Sequence, residues 1–236
     1  MKSVLSLLQF TTILPLGKPQ DFNLFARHSW MFPVAGYVIA LLVAIPVFFI
    51  RDTMLASAVA VAGVIVLSGA HHLDGLLDLG DGLMAQGDKD KRVRALTDKY
   101  VGAGGIAAGL VVTLLLFAGL HAAASLISVL IIGEVAAKFS MSFLTAYGTP
   151  FKEGMHSYLH RSAKPYFPFL SFLLCIPLIL LPVSPFRLVV ALTVMILCPV
   201  GLLILSERLF GGVNGDVVGA ANEITRALVV VALALI

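Results

Sequence analysis

The stretch HHLDGLLDLGDG, residues 71–82, places Asp74, Asp78 and Asp81 directly after a run from Thr53 to Ala70 that carries no formal charge. On a helix, at about 100° per residue, Asp78 falls roughly 40° from Asp74, Asp81 roughly 20° to the other side and His71 roughly 60° away. Four ionisable groups thus share a stripe about 80° wide. Carboxylates held so close in a poorly hydrated setting repel one another, which raises their pKa or forces the region apart unless a cation stands among them. Mg²⁺ answers that demand, because it takes a few carboxylate oxygens and fills its other positions with water and substrate phosphates. The competing account is a solvated helix end. It suits Asp88 and Asp90, which alternate with Lys89 and Lys91, but not a stripe whose other face, Leu73, Leu76, Leu77, Leu79 and Leu83, stays apolar. His71 and His72 read equally well as interfacial hydrogen-bonding groups or, for His72, as part of the chemistry. Gly75, Gly80 and Gly82 each weaken a helix by about 1 kcal/mol relative to alanine. They are tolerable where a ligand or another backbone must approach closely.

A second polar patch, GGVNGDVVGAANEITR over residues 211–226, carries Asn214, Asp216, Glu223 and Arg226. Its glycines suit a loop opening into a helix N-terminus, where free N–H groups favour anions such as phosphate. A Gly-rich turn with a capping aspartate is the plainer reading. The Asp216–Glu223 pair, nearly eclipsed on a helix, tips the balance toward a site. Asp98 and the glycines of VGAGG, residues 101–105, admit either a capped helix start or a further ligand beside a close-approach surface. Glu134 and Lys138 have the i, i+4 spacing of an internal ion pair in the favoured order. Charges inside a membrane are functional suspects, so Lys138 is equally a structural partner of Glu134 and a phosphate contact.

The elements that must position these groups are membrane helices. A composition of 59% hydrophobic and 12% charged residues over 236 positions, with a mean hydropathy of +1.01, excludes an ordinary soluble core. Several runs reach the roughly 20 apolar residues needed to cross a hydrocarbon core of about 30 Å. The candidate spans are 32–50, 53–72, 101–120, 122–147, 165–183, 188–205 and 217–236. No strand-period alternation competes with them, so backbone hydrogen bonds must close within helices. The fold class predicted is an all-α polytopic bundle of about six or seven spans forming a single integral membrane domain, 1–236.

The N-terminal SVLSLLQFTTILPL lacks a small-residue cleavage site and reads as an interfacial or re-entrant segment rather than a signal peptide. Cys175 and Cys198 fall inside spans and read as small buried hydrophobes.

Orientation follows from cation placement. Lys2, Lys18 and Arg27, then Lys89, Lys91, Arg92, Arg94 and Lys99, then Lys152, Arg161 and Lys164, and finally Arg208 and Arg226 fall before or between spans on one side. Only Arg51 and Arg187 fall on the other, with Lys138 inside a span. By the positive-inside rule the first side is cytosolic. Every carboxylate except Asp52 and Glu134 is counted there too, so the chemistry faces the cytosol. Because the cations follow topology, the net charge of +3 gives no reason to expect nucleic acid. No internal repeat supports an inverted-repeat transporter.

The motifs resemble those of the cobalamin synthase family, the membrane-bound adenosylcobinamide-GDP ribazoletransferases. The resemblance covers most of the chain: FTTILP at 10–15, FPVAG at 32–36, HLDGLLDLGDG at 72–82, D-x-x-x-G at 98–102 and GGVNGDVVGAANE at 211–223. Two positions depart from the family pattern: Asp98 is followed by Lys99 where Asp-Ser is expected, and Asn214 stands where Thr is expected. The resemblance implies joining of α-ribazole, or α-ribazole 5′-phosphate, to adenosylcobinamide-GDP. The products are adenosylcobalamin, or its 5′-phosphate, and GMP, in the last steps of cobalamin biosynthesis. On that footing Asp74, Asp78 and Asp81 bind Mg²⁺ and Asp81 accepts the hydroxyl proton, with Asp78 and His72 also in the catalytic set. Asp98 and Asp216 are further metal ligands, Glu223 and Asn214 contact substrate, and Lys138 and Arg208 hold the departing GMP phosphate. The setting implied is the cell (inner) membrane, with lipids as neighbours; a homo-oligomer is compatible with the bundle.

Two other classes use related features. The CDP-alcohol phosphotransferases also move a substituted phosphate onto an alcohol with helix-borne aspartates and a divalent metal. Their Asp-Gly is followed by Ala-Arg, whereas Asp74-Gly75 is followed here by Leu76-Leu77-Asp78. A cation-coupled carrier would place its acids near mid-bilayer, whereas these gather at cytosolic ends of spans.

Overall fold

The computed structural model describes residues 2–236. Twelve α-helices account for the architecture: α1 (Lys2–Thr11), α2 (Phe22–Ala26), α3 (Phe32–Phe48), α4 (Thr53–Leu67), α5 (His71–Met84), α6 (Lys89–Leu96), α7 (Ala103–Ala122), α8 (Leu126–Tyr147), α9 (Met155–Ser162), α10 (Phe167–Leu173), α11 (Pro185–Phe210) and α12 (Gly215–Ala234). Short 3₁₀ turns cover Ser29–Met31 and Ile176–Leu180. The only β-type pairing among the described residues is an isolated bridge between Pro150 and Val213. Five helical segments are long and apolar enough to cross a membrane, or seven when two bent pairs are each counted as one span. The expected all-α polytopic bundle is therefore what the chain forms.

Helices α8 and α12 are its centre. They pack on each other, α3 covers α8, and α5, α7 and α11 surround α12. Large apolar side chains such as Leu110, Val111 and Leu114 on α7, and Val189 and Leu197 on α11, stay exposed on the outside. That distribution suits a lipid belt, because burying such side chains is unnecessary where the solvent is itself apolar.

Two expected spans are broken. The helix predicted over 53–72 ends at Leu67, because Gly69 (φ 66°) and Ala70 (φ 58°) are left-handed. The chain leaves that turn at 93° into α5. Two consecutive left-handed residues cannot continue a right-handed helix, so they re-aim the acidic motif relative to the apolar run before it. The span predicted over 165–183 is likewise divided, into α10 and the 3₁₀ turn that contains Pro177, whose missing N–H cannot serve the helix ladder. By contrast, α11 is longer than predicted. At 26 residues it measures about 39 Å, more than a hydrocarbon core requires.

Helix α1 is short and half-buried, and its end is fastened to α4 by the Ile13 N–H, which donates to the Leu67 carbonyl at 2.9 Å. Both cysteines are free, and Cys175 is buried.

One count made from sequence is corrected by the structure. Arg226 and Glu223 do not lie in a cytosolic loop but within α12, 1% and 5% exposed respectively. They are part of an ion network inside the bundle, described below. The asymmetry of the loop cations survives without them.

Candidate active site

Helix α5 lies between α12 and α7, antiparallel to both. His72 lies opposite Gly219 and Gly75 opposite Asp216, while Gly80 faces Gly104, Gly105 and Ala108. The glycines of the motif are there for a neighbouring backbone. A Cβ on Gly75 would stand 2.6 Å from the Asp216 carbonyl oxygen, and one on Gly80 would stand 2.8 Å from that of Gly104. Both overlap, so only glycine permits this approach, and the approach is what brings carboxylates of two helices together.

Asp78 consequently faces the carboxylates of Asp216, Asp74 and Asp81, with the Lys152 ammonium as the opposing charge. Lys152 and Asp74 are also neighbours of Asp216, whose carboxylate accepts a 2.5 Å hydrogen bond from the Asn214 amide. The other end of the Asn214 side chain caps α12, its Oδ1 accepting from the Val217 N–H at 3.0 Å. The capping residue is thus Asn214, and Asp216 is left to face the other acids. Glu153, next to Lys152, is committed elsewhere. Arg161 hydrogen-bonds it, with help from Ser157, and holds its carboxyl below the usual range. Lys152 is therefore free to face the aspartates.

Asp81 has a different environment from the other two members of its stripe. One of its oxygens accepts from the Gly102 N–H at 2.7 Å and the other from the Gly105 N–H at 2.8 Å. Helix α7 has no side-chain cap of its own at Gly102, and Asp81 supplies one from α5, satisfying two of the N–H groups that every helix start leaves unpaired. Asp98, the nearer candidate in sequence, instead accepts from the Tyr100 N–H in its own turn and stays exposed.

Beside the acids lies a cavity of about 450 Å³, bounded by α1, α2, α3, α5, α8, α9 and α12. Asp74 and Asp216 are on its wall, together with His71, His72, Thr145 and His156 and with Phe10, Phe25, Phe32 and Met141. Of this group, the sequence motifs single out the two aspartates, the first two histidines, and Phe10 and Phe32 as the first residues of FTTILP and FPVAG. A signal for His156 is present in HSYLHRS, residues 156–162, which puts His156 and His160 one helical turn apart, but nothing local connects it to α5.

The remaining charged candidates lie elsewhere. Lys138 is fully buried, pairs with Glu134 at 3.6 Å and donates to the Asn222 Oδ1 at 2.7 Å. Arg226 pairs with Glu134 and, at 2.5 Å, with Glu223, and the Asn222 amide donates to Glu223 at 3.0 Å. Lys138 and Glu223 are therefore members of a neutral, closed network and are not on the cavity wall. Arg208 is exposed near the end of α11 and is likewise not on that wall.

Among the described residues no three His, Cys, Asp or Glu side chains stand close enough to hold a metal ion by themselves. The donor set is nonetheless of the kind Mg²⁺ prefers: hard carboxylate oxygens from α5 and α12, fewer than a full cage, beside space for water and phosphate.

Comparison with known proteins is consistent across the chain. The family described as cobalamin-5-phosphate synthase matches residues 3–234. An adenosylcobinamide-GDP ribazoletransferase of Archaeoglobus fulgidus is 35% identical, covering 96% of this chain and 94% of the relative. Proteins of the same name are 34% identical in Methanocella arvoryzae, over 92% of this chain and 89% of the relative, and 33% identical in Halorubrum lacusprofundi, over 93% and 91%. No solved structure matches. With the acidic motif, the α12 patch and a match from end to end in agreement, the chain belongs to the cobalamin-5-phosphate synthase family.

Proposed function

We propose that this chain is an adenosylcobinamide-GDP ribazoletransferase, a multi-pass membrane enzyme that joins α-ribazole or α-ribazole 5′-phosphate to adenosylcobinamide-GDP and releases GMP. Family membership supports the reaction. The observation that carries the site is the meeting of Asp74 and Asp78 on α5 with Asp216 on α12 at the rim of a cavity.

In the reaction a ribose hydroxyl oxygen attacks the phosphorus bonded to the cobinamide arm. A new P–O bond forms to the ribose, the P–O bond to the GMP phosphate breaks, and the hydroxyl proton is taken up by a base. Asp78 and Asp216 are placed to hold Mg²⁺, which would draw negative charge from the diphosphate as the bond breaks. Asp74, on the cavity wall, is placed to take the proton, since both oxygens of Asp81 already accept backbone N–H groups. Asp81 then serves by fixing α7 against α5. Lys152, the cation facing the acids, is the group for the departing phosphate, in place of the buried Lys138. Substrate positioning by the cavity supplies the in-line geometry.

The setting proposed is the cell inner membrane, and the cation-rich loops, which hold Lys89 to Lys99 and Lys152 to Lys164, support this end of the bundle facing the cytosol. The acids lie at the same end, where α7 and α12 begin. The test is incubation of the purified protein with adenosylcobinamide-GDP and α-ribazole, following GMP with and without Mg²⁺. GMP release that a chelator stops and added Mg²⁺ restores is the expected result. Release unaffected by the chelator would remove the metal from the reading, and no release with either ribazole form would remove the activity.

A further inference from the structure

The reaction needs two substrates, and the cavity beside Asp74 and Asp216 has features that choose between them. Its volume, about 450 Å³, is toward the small end of the roughly 300–1,000 Å³ range of ligand pockets. A corrin ring with its side arms is far bulkier than this space, whereas a single nucleoside is not. The charge on the walls points the same way. Asp74 and Asp216 are acidic, while the buried cations nearby, Lys138 and Arg226, are paired with Glu134 and Glu223. The part of the wall formed by Phe10, Phe25, Phe32 and Met141 offers a diphosphate no cation, whereas a neutral base needs none.

The inner surface is built for a flat apolar ring. Phe10 stacks on Phe25 with centroids 5.1 Å apart, and Phe32 meets Phe25 edge-on at 5.6 Å. Met141 lies on the same wall, and thioether and aromatic groups are favourable contacts for an aromatic face.

Polar atoms on the wall lack partners. The His72 Nδ1, Thr145 Oγ1 and His156 Nδ1 atoms are buried and find no hydrogen-bond partner among the described residues, and all three residues line this cavity. Their residues are 7%, 0% and 4% exposed. For His156 the role is fixed by its other nitrogen. Nε2 lies 2.9 Å from the Gly148 carbonyl and so carries the proton, which leaves Nδ1 as an acceptor. Buried polar atoms without partners are costly and rare in native proteins, and three on one cavity call for a ligand with polar edges. Gln9, also on the wall, is not available for that purpose, because its amide is used by Leu16, Lys18 and Gln20.

We infer that this cavity is the acceptor subsite: it takes the heteroaromatic base of the ribazole against Phe10, Phe25, Phe32 and Met141, with Thr145 and His156 binding its polar edge or its ribose, and presents a ribose hydroxyl to Asp74. The inference rests on the ribazoletransferase reading and adds which substrate goes where. The diphosphate substrate is left to approach from the cytosolic rim, where Lys152 stands.

Two variants of the full-length protein test this, with KM measured separately for each substrate and α-ribazole binding measured directly by equilibrium dialysis. Thr145→Val keeps the shape and removes only the hydroxyl, so the fold has no bond to lose. It should raise the KM for α-ribazole about tenfold. Gly215→Leu fills the cavity from its wall, at a position where a Cβ would meet nothing within 4 Å. It should raise that KM by more than tenfold and weaken dialysis binding in parallel. Under both, the KM for adenosylcobinamide-GDP should stay within about twofold. An unchanged ribazole KM, or a rise confined to the GDP substrate, overturns the assignment while GMP release by the unmodified protein keeps the functional reading intact. If the unmodified protein releases no GMP, dialysis still decides. Ribazole binding that Gly215→Leu abolishes upholds the subsite, and no ribazole binding overturns it.

Discussion

Helix α12 carries two carboxylates in opposite circumstances. Glu223 is buried and answered: with Glu134 it faces Lys138 and Arg226, two acids against two bases, and Asn222 bridges them. Asp216, two turns earlier, faces Asp74 and Asp78 with Lys152 as the opposing charge. The first group is not on the cavity wall and has no charge left over. The second borders a cavity and carries excess negative charge. A closed, neutral network inside a bundle holds helices together, because each buried ion would be costly alone. An unbalanced group at a cavity rim is the setting in which the proposed cation would act. Charge balance and access, more than the mere presence of acids in a membrane segment, separate structural from chemical ionisable groups in this molecule.

The sharpest way to break the comparison is to remove one charge from each region. Asp78→Asn should lower GMP release by at least about a hundredfold, since a proposed ligand for the charge-withdrawing ion is lost. Membrane insertion and thermal stability should be unchanged or slightly raised as repulsion falls. Near-normal turnover by Asp78→Asn would end the distinction. Glu134→Gln should do the reverse. Leaving Arg226 and Lys138 buried with too few partners should cost about 3–5 kcal/mol of stability, visible as a large drop in the unfolding temperature of the solubilised protein. The fraction that remains folded should keep its turnover per molecule. A stable Glu134→Gln with poor catalysis would move the network into the active site.

How far the sequence reveals this division depends on how local each cause is. The all-α bundle and its spans are legible because hydrocarbon thickness writes itself as run length. The break at Gly69 and Ala70 is not, since it depends on two backbone dihedrals that hydropathy does not see. Asp74, Asp78 and Asp216 are legible as spaced acids near apolar runs. Arg226 is misplaced in a loop for an instructive reason. A charge inside a span looks prohibitive until its partner is known, and Glu134 lies on another helix. Of the wall residues, Thr145 carries no local mark, and the marks on His156 and Phe32 do not connect either to α5. Their meaning comes only from α1, α2, α3, α8 and α9 closing around α5 and α12.

Asp81 tests whether the stripe is one functional unit or two. Its carboxylate takes the Gly102 and Gly105 N–H groups, so Asp81→Asn, which keeps one acceptor oxygen and loses the charge, should cost about 1–2 kcal/mol of stability. Its effect on GMP release should be well below that of Asp78→Asn, and its dependence on Mg²⁺ concentration should match the unmodified protein. A raised Mg²⁺ requirement would instead return Asp81 to the metal site.

The smallest effects belong to charges in neither region. Asp98 and Arg208 are exposed. Asp98 bonds only the Tyr100 N–H of its own turn, and Arg208 has no hydrogen-bond or ion-pair partner among the described residues. Asp98→Asn and Arg208→Ala should each change stability by no more than about 0.5 kcal/mol, and GMP release by about twofold or less, the same free energy expressed as a rate. A tenfold loss from Arg208→Ala, appearing in the KM for adenosylcobinamide-GDP but not for α-ribazole, would show that the diphosphate substrate reaches across the rim to the end of α11. The chemical region would then extend onto the surface at the end of α11, while the neutral network stayed as it is.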